Sequence, residues 1–253
     1  MGDLGEVFRY PAVAAAYRLR PPYPEEVFTI LERLIVDEPR TVLDLGAGEG
    51  ALARPLAQRV DRVDAVDRSA AMIAVGRQQP GGQRPNLRWI NDAVESAALD
   101  GPYALVTAGA SLHWMDWAPL MTRLRAVMTS GAMLAVVDHD VRGVPWRDGL
   151  VEIIRRHSRS PDFDPTYEAV RALAEAGHID IAGTAETAPV PFQQPIESYV
   201  EQFYSRASLA REHMAPQEAA DFGEAIAALV LPWVVDGVLT MSVAAKVTWG
   251  RPT

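Results

Sequence analysis

The chain has 253 residues, 49% of them hydrophobic and 23% charged, which is enough to bury one large core with insertions. Its formal charge of −9 opposes a phosphate backbone, and no cluster of Lys and Arg with interleaved aromatics offers a local exception, so nucleic acid is not an expected partner. With no cysteine, disulfides, thiolate metal sites and thiol nucleophiles are excluded, and the composition is compatible with a cytoplasmic location.

The start Met1-Gly2-Asp3-Leu4-Gly5-Glu6 is acidic and does not read as a signal peptide. No later apolar run approaches the roughly 20 residues that a bilayer requires, so no membrane partner is expected. Pro21-Pro22-Tyr23-Pro24 reads as a stiff hinge. Pro24-Glu25-Glu26 then opens a helix, with Pro at the first helical position, acids in the first turn and Val27, Ile30, Leu31 and Leu34 on one face. Residues 41–45 form an expected strand, 51–58 a helix, 62–66 a second strand and 69–75 a helix capped by Ser69. A turn at 79–82 leads to a third strand over 86–90. Residues 103–108 give a fourth strand, 118–128 a helix, Ser130-Gly131 a turn and 132–137 a fifth strand. Apolar strands alternating with helices imply a parallel sheet covered on both faces. Beyond Asp138 the rhythm changes: 144–156 and 165–176 look helical, 179–192 suits an edge strand followed by a loop, 196–230 is a helical block, and 238–249 is a long terminal strand.

The stretch Val42-Leu43-Asp44-Leu45-Gly46-Ala47-Gly48-Glu49-Gly50 runs an apolar strand into a glycine turn that opens a helix. Glycines at every second position let the backbone reverse and approach a ligand closely, as nucleotide cofactors require. The dinucleotide spacing G-x-G-x-x-G would put its third glycine at Ala51, whereas the spacing here is G-x-G-x-G behind an acid. In a doubly wound sheet, ligands bind outside the carboxyl ends of the strands. Asp44, Asp67 and Asp92 fall at three successive ends, and the segment from Ala108 to Ser111 follows the fourth.

From Val42 to about Val137 these segments resemble the class I S-adenosylmethionine-dependent methyltransferases. Ala65-Val66-Asp67-Arg68-Ser69-Ala70-Ala71-Met72 resembles that family's ribose-binding turn and the helix after it. Leu112-His113-Trp114, and Tyr17-Arg18-Leu19-Arg20-Pro21-Pro22-Tyr23-Pro24, resemble segments of the small-molecule subgroup that includes trans-aconitate methyltransferase and its relatives. Ala104 departs from the acid that many relatives carry there. The resemblance implies a Rossmann-like, doubly wound, mostly parallel seven-stranded sheet with an antiparallel last strand and a helical cap formed by insertions. It implies one methyltransferase domain over 1–253: an N-terminal lid and helix segment at 1–36, a cofactor-binding core at 37–140, cap insertions at 141–178 and 193–236, and a terminal strand at 237–253.

S-adenosyl-L-methionine is the implied cofactor. Asp44 would hold its amino group, Gly46, Gly48 and Gly50 would bring backbone close, Asp67 with Arg68 and Met72 would form the ribose turn, and Asp92 with Ala93 would meet the adenine. Ala108 would line the site, and Arg20 would reach the cofactor carboxylate. The candidate catalytic residues are His113, as a base near neutral pH, and Tyr17. His113 reads also, and somewhat better, as a hydrogen-bonded wall residue between Leu112 and Trp114. Asp138-His139-Asp140 admits a metal or substrate reading, although no metal is expected. The implied activity is in-line methyl transfer to a small-molecule acceptor at oxygen or carbon. Two rivals share the sheet: a nicotinamide-dependent oxidoreductase, and a catalytically silent protein that binds S-adenosylmethionine.

Overall fold

The structure, a computed structural model, describes residues 4–160 and 163–253. In chain order its helices are α1 (Pro11–Tyr17), α2 (Glu25–Arg33), α3 (Ala53–Leu56), α4 (Ala70–Gln78), α5 (Trp117–Val127), α6 (Arg147–His157), α7 (Ala169–Glu175), α8 (Ile196–Glu201) and α9 (Pro216–Val230). The strands are β1 (Thr41–Leu45), β2 (Arg62–Asp67), β3 (Leu87–Asn91), β4 (Tyr103–Gly109), β5 (Met128–Arg142), β6 (Ile179–Glu186), β7 (Val190–Pro195) and β8 (Val238–Pro252). The described residues divide into two compact units, and one boundary falls between Pro22 and Tyr23.

The larger unit comprises Tyr23–Asp140, Glu168–Ala188 and Ala244–Thr253. Its strands lie in the order β3-β2-β1-β4-β5-β8-β6. β1 pairs in parallel with β2 and β4, β2 with β3, and β4 with β5, while β6 runs antiparallel to β8. Every residue of β1 is buried, as the apolar run requires of a central strand covered on both sides. Alternation along the strands sorts the core into two layers. Leu43, Leu45, Val66, Val106, Ala108, Leu134 and Val136 pack with α5 and α7. Val42, Val63, Ala65, Leu105, Ala135 and Val137 pack with α2 and α3. Full burial of each Val or Leu side chain among these contributes about 1.5–3 kcal/mol.

Local details depart from the sequence expectations. Pro24 is the N-cap of α2 and Glu25 its first residue. The helix after the glycine turn shrinks to the four residues of α3, because the turn itself occupies Gly46 to Leu52. Ser130-Gly131 does not end an element. Tyr103 pairs with Met128 and Leu105 with Met133, so these residues form a bulge within β5, and the Gly131 N–H donates to Asp37 Oδ2 at 2.7 Å. α7, grouped in the sequence with the first insertion, packs Ala169, Val170 and Leu173 into the core of the larger unit.

The smaller unit comprises the described residues up to Pro22, together with Val141–Tyr167 and Pro189–Val243. Residues 190–195, where the sequence suggests the end of an edge strand and its following loop (179–192) and then the start of the second cap insertion (193–236), form β7, which pairs antiparallel with the first half of β8 from Val190↔Val243 to Pro195↔Val238. The seven expected strands are thus joined by an eighth. Pro191 and Pro195 are tolerated because β7 pairs only with β8, leaving an edge on which missing N–H groups cost little. Around this strand pair, Trp146, Ile154, Tyr199, Phe203, Phe222, Ile226 and Leu239 form an aromatic-rich core. Trp146 Nε1 donates to the Tyr199 hydroxyl at 2.8 Å and the Tyr204 hydroxyl donates to Ala219 O at 2.6 Å, so the buried polar tips are satisfied. No helix among the described residues is long and apolar enough to cross a membrane.

Candidate active site

The site lies in the larger unit, at the carboxyl ends of β1 to β4. Leaving β1, the chain turns through Gly46, Gly48 and Gly50, all at positive φ (60°, 58° and 79°), where a side chain would strain the backbone. The turn is tied by the Ala47 N–H to Val66 O at 2.9 Å and the Gly50 N–H to Ala47 O at 2.8 Å. The two ends of its face differ. A methyl group on Gly46 would come within 2.7 Å of Ser111 Cβ, so that position is packed by protein, whereas at Gly48 the nearest atom would be the terminal methyl of Met72 at 3.3 Å. Gly48 is thus less tightly enclosed by protein than Gly46.

Asp67 ends β2 beside this turn. Its Oδ2 accepts the Gly48 N–H at 2.7 Å and its Oδ1 accepts the Ser69 N–H at 2.7 Å, so each oxygen keeps a lone pair for another donor. Ser69 Oγ accepts the Met72 N–H at 3.2 Å and caps α4, as the sequence suggests. Met72 is buried against the turn and Arg68 is exposed. Burial pushes the Asp67 carboxyl up, while the two backbone donors and Arg68 pull it down.

Asp44 sits inside β1, in register with Thr107 of β4, and strand alternation puts Asp44 and Asp67 on the same face of the sheet. The Thr107 hydroxyl donates to Asp44 Oδ1 at 2.8 Å. Burial pushes the Asp44 carboxyl up to about 7, the neighbouring charge of Asp67 adds to the rise, and the Thr107 hydroxyl and Ala53 N–H oppose it. Two adjacent carboxylates in a low-dielectric crevice call for a positive charge.

Asp92 follows β3, its N–H bonded to Asp67 O at 3.2 Å. Its Oδ1 accepts from the Ala93 N–H and from Ser96 Oγ, both at 2.8 Å, and its Oδ2 has no partner among the described residues. Ala93 is half-buried. Ala108 behaves differently from its neighbours in the expectation: its side chain is fully buried in the layer with Leu45 and Val66 and faces the core. Two residues on, Ala110 holds φ +51°, a strained conformation for a non-glycine residue, where the chain leaves β4. Ser111 Oγ then donates to Leu45 O at 2.6 Å, locking this loop to the end of β1. His113 and Trp114 are both exposed, with ring centroids 4.7 Å apart.

Tyr17 and Arg20 belong to the smaller unit, where the Arg20 guanidinium lies 4.0 Å over the Tyr17 ring. Among the described residues, no group of three or more His, Cys, Asp or Glu side chains is arranged to hold a metal ion. His139 instead packs edge-on against Tyr23, with centroids 5.0 Å apart. Tyr23 is a site neighbour that the sequence reading left inside a hinge. A methyl group on Gly109 would meet its hydroxyl at 2.6 Å, so this tyrosine covers the end of β4. The available signal was an aromatic held between prolines directly before a helix.

Against known proteins, a family model described as a methyltransferase domain matches residues 42–132. The chain spans about half the length of the curated relatives it matches, 55% for the first of them. It is 33% identical over 110 residues to the trans-aconitate 2-methyltransferase of Azoarcus sp. (strain BH72), 42% of each chain. A solved structure described as a type II methyltransferase from Anaeromyxobacter dehalogenans matches with TM-score 0.65 at 22% identity, covering 92% of this chain and 97% of that one. A methyltransferase from Thiobacillus denitrificans, solved with S-adenosyl-L-homocysteine, matches with TM-score 0.53 at 15% identity over 95% and 97% of the two chains. At these identities the structural likeness is one of fold, and it agrees with the Rossmann-like sheet expected from the sequence.

Proposed function

We propose that this chain, whose residues 42–132 match a methyltransferase domain, transfers a methyl group from S-adenosylmethionine to a small organic acceptor at oxygen or carbon. The observation that carries the reading is the pair Asp44 and Asp67: two carboxylates raised by burial on one face of the sheet, beside a turn whose Gly46, Gly48 and Gly50 all hold positive φ. A ligand that brings its own cationic groups suits this crevice; an ammonium and a sulfonium supply them.

Asp44 would accept the ligand's ammonium, and Thr107 would keep its carboxylate oriented. Asp67, already fixed by the Gly48 and Ser69 N–H groups, would accept the two ribose hydroxyls with its remaining lone pairs. The free Oδ2 of Asp92 would accept from the adenine amino group. When bound, the cofactor supplies the electrophilic methyl. The protein's contribution is to align the acceptor in line with the sulfur and to keep water out. His113, exposed after β4, would take the acceptor proton.

The test is calorimetric titration with S-adenosylmethionine, followed by release of S-adenosylhomocysteine over a panel of carboxylic and hydroxylated metabolites. Cofactor binding with turnover on a panel member supports the reading. Binding of a reduced nicotinamide in place of the sulfonium overturns it. Replacing His113 with Ala should lower turnover by about 10²–10⁴-fold if it carries the proton. A loss of only a few-fold would make it a wall residue.

A further inference from the structure

The glycine turn after β1 is held from behind by residues that the methyl-transfer reading does not use. Glu49, between Gly48 and Gly50, is a third acid at this end of the sheet and is 8% exposed. Its charge is matched from within the protein. Arg54, in α3, donates from Nη2 to Glu49 Oε2 at 2.8 Å, from Nε to Glu49 O at 3.0 Å and from Nη1 to Pro80 O at 3.1 Å. Each guanidinium nitrogen therefore has a protein acceptor, and one side chain joins three segments: the start of α3, the glycine turn, and the loop between α4 and β3. The Arg54 and Glu49 side chains are only 16% and 11% exposed.

Packing from α4 and β3 closes on the same peptide. A methyl group on Gly76 would come within 2.6 Å of Glu49 O and 2.5 Å of Trp89 Cη2, so α4 lies directly against the Glu49 carbonyl. A methyl group on Gly50 would meet the same Trp89 atom at 2.5 Å and Arg54 Cγ at 3.1 Å. Trp89 Nε1 donates to Gly82 O at 2.9 Å, which ties the indole to the loop that Arg54 holds through Pro80. Glu49 is thus gripped by a hydrogen bond on its carbonyl oxygen and an ion pair on its side chain, with a ring edge beside the next residue.

Three glycines at positive φ make this turn costly to order, because glycine loses more conformational freedom on folding than any other residue. A turn that orders only on binding subtracts that cost from the ligand's affinity; one fixed beforehand does not. An enclosed ion pair adds little stability over an apolar pair of the same volume, yet its fork geometry is exacting, which suits it to hold one backbone arrangement. We propose that Arg54 is a positioning residue: acting through Glu49, with Trp89 as a backstop, it sets the Gly46 to Gly50 turn in its binding conformation before any ligand arrives. That the ligand is the cofactor rests on the methyl-transfer reading; that the turn is preset does not.

Amide hydrogen exchange on the ligand-free wild type is the first measurement. The Gly48 and Gly50 N–H groups, bonded to Asp67 Oδ2 and Ala47 O, should exchange at least about a hundredfold more slowly than in an unstructured peptide. Unprotected rates there overturn the preset turn, whether or not any variant folds. Exchange and calorimetric titration with S-adenosylhomocysteine then compare the wild type with Arg54→Met, Arg54→Lys and Tyr103→Phe. Lysine keeps a charge for Glu49 but lacks the fork, so this variant should fold where Arg54→Met does not. Tyr103→Phe removes the bond to Asp64 at the amino end of β4 and controls for destabilisation alone. Arg54 acts on the turn if its folded variants bind about tenfold or more weakly, with faster exchange at Gly48 and Gly50 and unchanged exchange in β4, while Tyr103→Phe binds as the wild type does. Wild-type affinity or wild-type exchange in a folded Arg54 variant, or an equal loss in Tyr103→Phe, overturns it. Should the wild type bind neither S-adenosylmethionine nor S-adenosylhomocysteine, the methyl-transfer reading falls, and the exchange comparison alone decides the role of Arg54.

Discussion

Two buried aspartates on adjacent strands meet opposite fates. Asp64, in the middle of β2, is fully buried, but Arg88 Nε and Nη2 reach it at 2.9 and 2.6 Å, the Tyr103 hydroxyl at 2.6 Å and Arg62 Nε at 3.5 Å. Asp44, in β1, is 1% exposed and has a hydroxyl and a backbone N–H, with a second acid close by. Strand alternation turns Asp64 toward the layer of Val66 and Asp44 toward the layer of Val42. A buried charge matched from within the protein is architecture; one without such a match is the candidate for the proposed cofactor's ammonium.

The largest effect that would sharpen this contrast is on Asp64. Asp64→Ala should cost about 3–5 kcal/mol in urea denaturation, because it strips a buried carboxylate from two arginines and leaves the Tyr103 hydroxyl proton without its acceptor. A loss under about 1 kcal/mol would remove the distinction drawn between the two acids.

Asp44 should show its character through pH. An unfolded aspartate titrates near 3.8 and the folded one near 7, so the native state holds the extra proton between those values. Unfolding free energy should therefore fall as pH rises from about 4 to above 7, and Asp44→Asn should flatten that slope. Affinity for S-adenosylmethionine should move the other way, falling roughly tenfold per pH unit below about 7 as the carboxylate is neutralised, because ammonium binding requires the ionised form. Isothermal titration at pH 5.5, 6.5 and 8 checks this. A pH-independent affinity in the wild type would disconnect Asp44 from the ligand.

Asp67→Ala should weaken cofactor affinity by about 1–3 kcal/mol, the cost of leaving two hydroxyls without their charged acceptor. Unchanged binding would move the ribose elsewhere. Smallest of all, Ser69→Ala removes the α4 cap and should lower stability by about 1 kcal/mol in thermal melts, with the sheet intact.

Legibility in the sequence followed the same physical divide. β1 to β4 are readable because central parallel strands are short apolar runs between turn residues, and the acids at their ends stand out against that background. Their burial and partners are not readable: nothing in the local sequence tells that Arg88 reaches across to Asp64 or that Asp44 faces Thr107, since both pairings come from strand register. Gly131 looked like a turn because its tie to Asp37 spans distant parts of the chain. β7 was hidden by Pro191 and Pro195, which an edge strand tolerates. Tyr23 was hidden by its proline neighbours.

The most direct test is a crystal structure of the chain with S-adenosylhomocysteine. The expected result is a ligand over the Gly46 to Gly50 turn, with both ribose hydroxyls on the Asp67 carboxylate and the ammonium facing Asp44. Crystals grown at saturating ligand that show it elsewhere, or show those carboxylates turned away from it, would contradict the account.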